Sequence, residues 1–214
     1  MEHLVLKEKA YRIIKERLLR MEFEPGSRIR EDRLAEEISM SRTPVREAVN
    51  RLTAEGFIQQ IPRRGLFFVR LEPDEIKDLL DVREALETLA IEKCIQRISA
   101  KQLAVLEGIL DETEAALTKN NFSFCNELDS RFHGEIARIS GNKKLHSYCS
   151  DLEDYMHIAR AQEKVTQTLR KTTCALEEHR VIVECIKKKD LAGARKAVLA
   201  NIMSMRRNLG IQLA

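Results

Sequence analysis

Arginine and hydroxyl side chains crowd the start of one short stretch, 41–51, which reads SRTPVREAVNR. Apolar residues recur within it at helical spacing, so it is predicted to form a helix with one buried face. Arg42, Thr43 and Arg46 then lie near the N-terminal end, off that face. Arginine can bond a guanine edge with two hydrogen bonds, and hydroxyl groups can hold phosphates, so these side chains suit the major groove of DNA. A surface helix with ordinary solvated charges is the alternative.

The residues upstream favour the DNA-binding interpretation. Ser41 or Thr43 can cap the helix, and Pro44 suits its first turn, where a missing N–H costs little. A second amphipathic helix is predicted at Ile29–Ile38, and only three residues separate the two. This connection is typical of a helix-turn-helix.

The residues downstream predict a wing. Two strands are indicated at Phe57–Ile61 and Leu66–Val69, on either side of Pro62-Arg63-Arg64-Gly65. A hairpin tipped by arginines and a glycine can reach phosphates or a minor groove. With Leu4–Met21 as a first helix, the pattern predicts a winged helix-turn-helix.

Several motifs of this region resemble, in their order, the DNA-binding domain of GntR-family transcriptional regulators. They are Pro25-Gly26-Ser27-Arg28-Ile29, Leu34-Ala35, the run from Ser41 to Ala48, Leu52, Glu55-Gly56 and Pro62-Arg63-Arg64-Gly65. The resemblance covers about the first third of the chain. It implies that Arg42, Thr43 and Arg46, beside Ser41, contact operator DNA together with the wing residues Arg64 and Gly65.

A second group of polar residues could bind a metal ion. Asp129 and His133 are four residues apart, so on a helix they share one face, and neighbouring apolar residues turn that face inward. His179 lies on a later predicted helix, again beside apolar residues. Inward-facing carboxylate and imidazole groups are either hydrogen-bonded core groups or metal ligands.

The second half of the chain resembles the FCD effector-binding domain of FadR-type GntR regulators. The motifs are Arg83, Leu86-Glu87, Asp129-x-x-Phe132-His133, Ser140-Gly141-Asn142 and Glu178-His179, spread over most of residues 73–205. Many members of this family bind a divalent metal through an aspartate and three histidines. The resemblance implies that Asp129, His133 and His179 are three of these ligands.

The fourth ligand position falls at Asn201, where the family pattern has histidine. An asparagine oxygen binds zinc or nickel more weakly than imidazole does, but it suits harder ions such as manganese. Three possibilities follow: a site completed by Asn201 or water, a shifted site, or a pocket without metal.

The same resemblance implies a small carboxylate effector, since related regulators commonly sense sugar acids, hydroxy acids or dicarboxylates. One acid oxygen would complete the metal shell, and an arginine is the natural partner for the other. Arg83 matches the family's arginine on the first helix of the bundle, and Arg160 is a second candidate. For either arginine, a salt bridge to a nearby glutamate is the alternative.

Charge and composition agree with a two-part chain. Residues 1–71 carry a net charge of +4 and the rest −1, so the positive excess lies in the predicted DNA-binding part. The five cysteines contain no CxxC pair, which argues against a zinc finger or a disulfide framework. No apolar run suffices for a membrane span or signal peptide, so we expect a cytoplasmic protein without a membrane partner.

The expected fold is mainly α, with a winged helix-turn-helix in residues 1–72 and an all-α antiparallel six-helix bundle in residues 73–214. Short loops join the bundle helices, which favours antiparallel neighbours. The predicted helices are Glu75–Arg97, Ala100–Thr118, Phe122–Ile139, Lys143–Gln162, Lys171–Lys189 and Leu191–Leu209, with a polar loop from the fourth to about Arg170.

The expected function is that of a homodimeric transcriptional regulator whose affinity for double-stranded operator DNA is controlled by the effector. Two alternatives stay open at this point. A metal with an open position could activate water in a hydrolase-like enzyme, although no separate acid, base or nucleophile is visible. Alternatively, the bundle merely dimerises a DNA-binding protein that has no ligand.

Overall fold

The computed structural model describes residues 2–162 and 169–211, and the fold is mainly helical, as predicted. The described chain divides into two compact units. The first runs to Glu72 and also includes His157–Gln162, and the second comprises the other described residues. In the part of the chain described, no helix is long and apolar enough to cross a membrane.

The first unit is a winged helix-turn-helix. Its elements are α1 (Glu2–Leu19), β1 (Arg28–Ile29), α2 (Glu31–Glu37), α3 (Arg42–Ala54), β2 (Ile58–Ile61) and β3 (Gly65–Phe68). The strands form an antiparallel sheet in the order β1-β3-β2. The wing is therefore the predicted hairpin with a third, short strand added.

The third strand corrects the predicted start of α2. The sequence pattern placed Ile29 in a helix, but Ile29 is buried and pairs with Leu66 of β3. Arg30 keeps an extended backbone as the residue before α2. Ile29 is thus a buried residue of the sheet and not of the helix.

The apolar face of α3 forms the centre of this unit. Val45, Ala48, Val49 and Leu52 are fully buried, and α3 packs against α1. Gly56 ends the helix in a left-handed conformation (φ +83°), which glycine adopts without steric penalty. The exposed face of α3 is left for other contacts.

Six described helices make up the second unit, except for the last residues of the fourth. They are α4 (Pro73–Arg97), α5 (Ala100–Thr118), α6 (Phe122–Ile139), α7 (Lys143–Gln162), α8 (Leu169–Lys187) and α9 (Leu191–Asn208). The last residues of α7, His157–Gln162, are grouped with the first unit. The predicted capping box is present, with Ser99 and Gln102 bonding reciprocally at the start of α5. Most of the predicted polar loop before α8 lies outside the described residues.

Helix α6 occupies a central place in the bundle because it packs against α4, α5 and α8. Leu128, Phe132 and Ile136 form its buried stripe. The polar residues Asp129 and His133 lie directly beside this stripe in the sequence. Helix packing therefore brings them toward side chains of α4 and α8.

Candidate functional site

The exposed face of α3 forms part of a concave surface on the first unit. Arg42, Thr43, Arg46 and Asn50 are all exposed and line it. Gly65 of the wing lines the same concavity. The structure thus places three predicted DNA-binding side chains of α3 on one surface with a predicted wing residue.

Ser41 and Arg64, the other two predicted contact residues, are exposed but do not line this concavity. Ser41 is the residue before α3, and its side chain makes no capping hydrogen bond. Arg64 lies at the hairpin tip, with its guanidinium 5.5 Å from the centroid of the Phe67 ring. Both positions are open to a large ligand.

Arg28 also lines the concave surface, although the sequence pattern assigned it no role. Its guanidinium lies against Gly65, where a Cβ atom would come within 3.4 Å of Nε and Nη2. Gly65 has φ +107°, a conformation that other residues rarely adopt. The signal was missed because β1, which carries Arg28 beside the wing, was not predicted.

Three arginines of this surface have no close ion-pair partner, although Glu31, Asp32 and Glu47 line the same concavity. Arg28, Arg42 and Arg46 form no ion pair with any described residue. Arg30, by contrast, pairs with Asp32 at 2.7 Å. The unpaired guanidinium groups are therefore available to phosphates or base edges.

In the second unit, α6 and α8 bring Asp129, His133 and His179 together. Each offers a ligand atom within 4.8 Å of the others. Nε2 of His133 lies 3.2 Å from Nε2 of His179, which lies 3.4 Å from Oδ1 of Asp129. The helical spacing had predicted the Asp129–His133 pair, and packing adds the histidine of α8.

The two contacts of His179 match the spacing of ligand atoms around a divalent metal ion. Tetrahedral zinc holds nitrogen and oxygen ligands at about 2.0–2.1 Å, which places neighbouring ligand atoms about 3.3–3.4 Å apart. Two imidazole nitrogens as close as those of His133 and His179 cannot both present a lone pair to each other. They must share either a proton or a metal ion.

The surroundings favour neutral imidazole at His179. Burial lowers its pKa to about 4, and the neighbouring His133 adds to this while Asp129 opposes it. The ring stacks on Phe132, which is fully buried, with centroids 4.4 Å apart. A neutral ring in a fixed orientation is the form that binds metals.

Asn201, the predicted fourth ligand, is a buried residue of α9. Its Nδ2 donates a hydrogen bond to Oε2 of Glu178 at 2.8 Å. The structure thus pairs Asn201 with the residue that precedes His179. Its role as a ligand stays a prediction.

A cavity of about 320 Å³ opens beside the cluster, among α4, α6, α7 and α9. Its polar lining includes Arg83, Glu87, Ser130, Arg131, His133 and Glu153. The volume lies at the lower end of the range typical of small-molecule sites. His133 belongs to both the cluster and the cavity wall.

Arg83 is the most buried charged group of this wall, with 2% of its surface exposed. Its Nε donates to Glu87 at 2.6 Å, and Nη1 lies 3.3 Å from Glu153. Its Nη2 is buried and has no hydrogen-bond partner among the described residues. The predicted salt bridge to a glutamate therefore accounts for Nε and Nη1 of Arg83, and the Nη2 group is left without a partner among the described residues.

Glu87 links Arg83 to the cluster, because its second oxygen lies 3.0 Å from Nδ1 of His133. Burial would raise the pKa of Glu87, but Arg83 and His133 outweigh burial and lower it to about 2. Burial likewise opposes the charge on His133, yet Glu87 raises its pKa above the ordinary value. The spacing of Arg83 and Glu87 was visible in the sequence, but the contact with α6 was not.

Arg160, the second predicted effector contact, does not line this cavity. It lies in the last turn of α7, within the segment grouped with the first unit. The role of Arg160 as an effector contact stays a prediction. His146 of α7 does line the cavity, although it is exposed.

Two family models match the chain. Residues 6–68 match the bacterial regulatory proteins of the gntR family, and residues 78–203 match the FCD domain. The HTH-type transcriptional regulator YdhC of Bacillus subtilis (strain 168) is 31% identical over 194 residues, which cover 89% of this chain and 85% of that protein. The Nta operon transcriptional regulator of Aminobacter aminovorans is 35% identical over 64% of this chain and 65% of its own length.

Solved structures share the fold. E. coli McbR/YncC matches with a TM-score of 0.81 and 23% identity, over 96% of both chains. A GntR transcriptional regulator from Rhodococcus sp. RHA1 also gives a TM-score of 0.81, with 16% identity over 97% of this chain and 99% of that one. The two sequence relatives named above are transcriptional regulators.

Proposed function

The chain belongs to the GntR family of bacterial regulatory proteins and carries an FCD domain, and we propose that a small carboxylate effector, bound at a metal site in this domain, controls its affinity for operator DNA. One observation carries the proposal. His133 belongs both to the three-residue cluster and to the wall of the cavity that contains the unpartnered donor of Arg83.

Operator DNA would be read by the concave surface of the first unit. Arg42 and Arg46 would contact phosphates or guanine edges, and Thr43 would hold a phosphate. Arg28, which lies beside Gly65, would contact the DNA backbone. Ser41 and Arg64 would contact DNA at the edges of the concave surface. The exposure of these groups and the unpaired charge of the three arginines of the concavity support this assignment.

A divalent ion such as zinc, nickel or manganese would be held by Asp129, His133 and His179, with Asn201 or water completing the shell. The bound ion would supply positive charge and open positions for an acid oxygen.

The charges of the cavity explain why an acid would need the metal. Glu87 and Glu153 already flank Arg83, and Asp129 adds another carboxylate nearby. An anionic effector would meet net repulsion here without a further cation. Nη2 of Arg83 would donate to the acid oxygen that the metal does not bind.

We further propose a homodimer, in which the two copies of α3 meet half-sites about 10 bp apart. Effector binding would favour one arrangement of the protein over another and so change operator affinity. Because such coupling is reciprocal, operator DNA must change effector affinity by the same factor.

The metal site is tested by elemental analysis of protein purified without added metal and without a histidine tag. Wild type is compared with His133→Ala, and His146→Ala serves as a matched control because His146 is exposed and outside the cluster. We expect near-stoichiometric metal in wild type and control, and loss in His133→Ala. Wild type that takes up no zinc, nickel or manganese would refute the metal site.

The effector is sought by a thermal-shift screen of small carboxylates with and without a chelator. We expect a stabilising acid whose effect requires metal and which alters binding to DNA fragments selected in vitro. A protein stabilised by neither metals nor acids would instead be a DNA-binding dimer without a ligand. Turnover of an acid would indicate the enzyme alternative.

A further inference from the structure

Glu87 lies between Arg83 and His133, and each of its carboxylate oxygens lies close to a different nitrogen. Oε1 accepts a hydrogen bond from Nε of Arg83 at 2.6 Å, and Oε2 lies 3.0 Å from Nδ1 of His133. The side chains are only 2%, 8% and 12% exposed for Arg83, His133 and Glu87. Water therefore has little access to replace either contact.

This contact decides which nitrogen of His133 carries the proton. Oε2 of Glu87 forms no aligned hydrogen bond with a described residue, so its contact with Nδ1 is a close electrostatic one. A carboxylate beside an arginine is ionised and has no proton to give, so it favours an N–H over a lone pair at Nδ1 of His133. A neutral imidazole has one N–H, which leaves the lone pair on Nε2. That atom lies 3.2 Å from Nε2 of His179.

We propose that Glu87 is a positioning residue that holds His133 in the Nδ1–H tautomer and so presents Nε2 to the metal. Carboxylates commonly orient metal-binding histidines in this way. The consequence for metal binding rests on the function proposed above. The tautomer itself is a property of the protein without metal, so the two ideas can fail separately.

A carboxylate is required at position 87 because Arg83 occupies one of its oxygens. Glutamine has one acceptor and one donor end, and arginine cannot give up its proton. In Glu87→Gln, the amide oxygen therefore turns to Arg83 and the NH₂ group faces His133. Nδ1 must then accept, and the proton moves to Nε2, the atom that would bind the metal.

The tautomer is measured by long-range ¹H–¹⁵N correlation NMR on the metal-free full-length protein. The spectra are recorded at about pH 9, where histidine is neutral, and His133→Ala assigns the His133 signals. We expect Nδ1–H in wild type and Nε2–H in Glu87→Gln. Glu92→Gln is the matched control. Glu92 is on the same helix but outside the cluster, and its carboxylate lies 3.2 Å from Nε of Arg195.

A double variant separates this role from a general loss of folding. In Arg83→Met/Glu87→Gln, the arginine no longer competes for the amide oxygen, so Gln can accept from His133. We expect the Nδ1–H tautomer to return. The proposal would be overturned if wild type carried the Nε2–H tautomer or if wild type and Glu87→Gln shared one tautomer. It would also be overturned if the Nδ1–H tautomer did not return in the double variant.

Zinc affinity is then measured by competition with a chelating dye. Loss of a group that orients a ligand lowers metal affinity about 10- to 100-fold, and we expect this loss in Glu87→Gln but not in Glu92→Gln. Unchanged zinc affinity in Glu87→Gln would overturn the positioning role and leave the metal site standing. Zinc-free wild type would overturn the metal site, and the tautomer measurement would still decide the role of Glu87.

Discussion

Replacing Arg83 by alanine tests whether this residue, the proposed effector contact, also stabilises the fold as the cation of a buried ion pair. Arg83 is 2% exposed and lies between the carboxylates of Glu87 and Glu153. The side chain of Glu87 is 12% exposed and that of Glu153 19%. The variant would therefore leave two largely buried negative charges without their cation.

Removing one member of a buried ion pair costs about 3–5 kcal/mol, so we expect a loss of about that size in the free energy of unfolding. This is a large fraction of the roughly 5–15 kcal/mol typical of folded proteins. The loss should shrink at acidic pH. Without Arg83, burial raises the pKa of Glu87, and protonation then relieves the uncompensated charge.

The assay is urea denaturation followed by the helical circular dichroism signal, with a chelator present so that metal binding does not contribute. Arg131→Ala is the control, because Arg131 pairs with Glu112 at 3.1 Å while 54% exposed, and exposed pairs contribute about 0–1 kcal/mol. If Arg83→Ala costs no more than Arg131→Ala, the buried-pair reasoning is wrong. A smaller loss in Arg83→Ala/Glu87→Gln than the sum of the losses in Arg83→Ala and Glu87→Gln would support it.

The DNA-reading surface, the wing and Glu87 each give a further prediction. Arg46→Ala should weaken operator binding in anisotropy titrations by about 1–3 kcal/mol without changing thermal stability, whereas Arg138→Ala in the second unit should leave affinity unchanged. Gly65→Ala should lower the free energy of unfolding by about 1–3 kcal/mol, because alanine is strained at a backbone φ of +107°. It should also weaken DNA binding, and an unchanged melting curve would contradict this prediction. The native pKa of Glu87 is lowered to about 2, so its contribution to stability is present above about pH 4.5 and is lost as the pH falls toward 2. The stability difference between wild type and Glu87→Gln should therefore shrink on acidification, and a difference independent of pH would refute the lowered pKa.

The sequence predicted well the features that depend on helical periodicity. The four-residue spacing of Asp129 and His133 put both on one face of α6, and the apolar residues around His179 indicated that it faces inward. Periodicity cannot reveal a strand of two residues, so Arg28 and Ile29 in β1 were missed. Their conformation is set by pairing with β3, which is distant in the sequence.

Contacts between helices were the second feature that spacing could not supply. The four-residue interval from Arg83 to Glu87 indicates a salt bridge within α4. It does not indicate that the other oxygen of Glu87 reaches His133 on α6, because that depends on how the two helices pack. Glu153 on α7 is a partner of Arg83 for the same reason.

Asn201 shows how packing orients an amide whose role as a ligand stays a prediction. An amide has a donor end and an acceptor end, whereas a carboxylate such as Glu178 can only accept. The hydrogen bond to Glu178 therefore fixes Nδ2 on that side and directs Oδ1, the atom with ligand chemistry, away from it. A histidine at this position would have offered a nitrogen ligand, but the asparagine gains a partner on α8 in the residue next to His179.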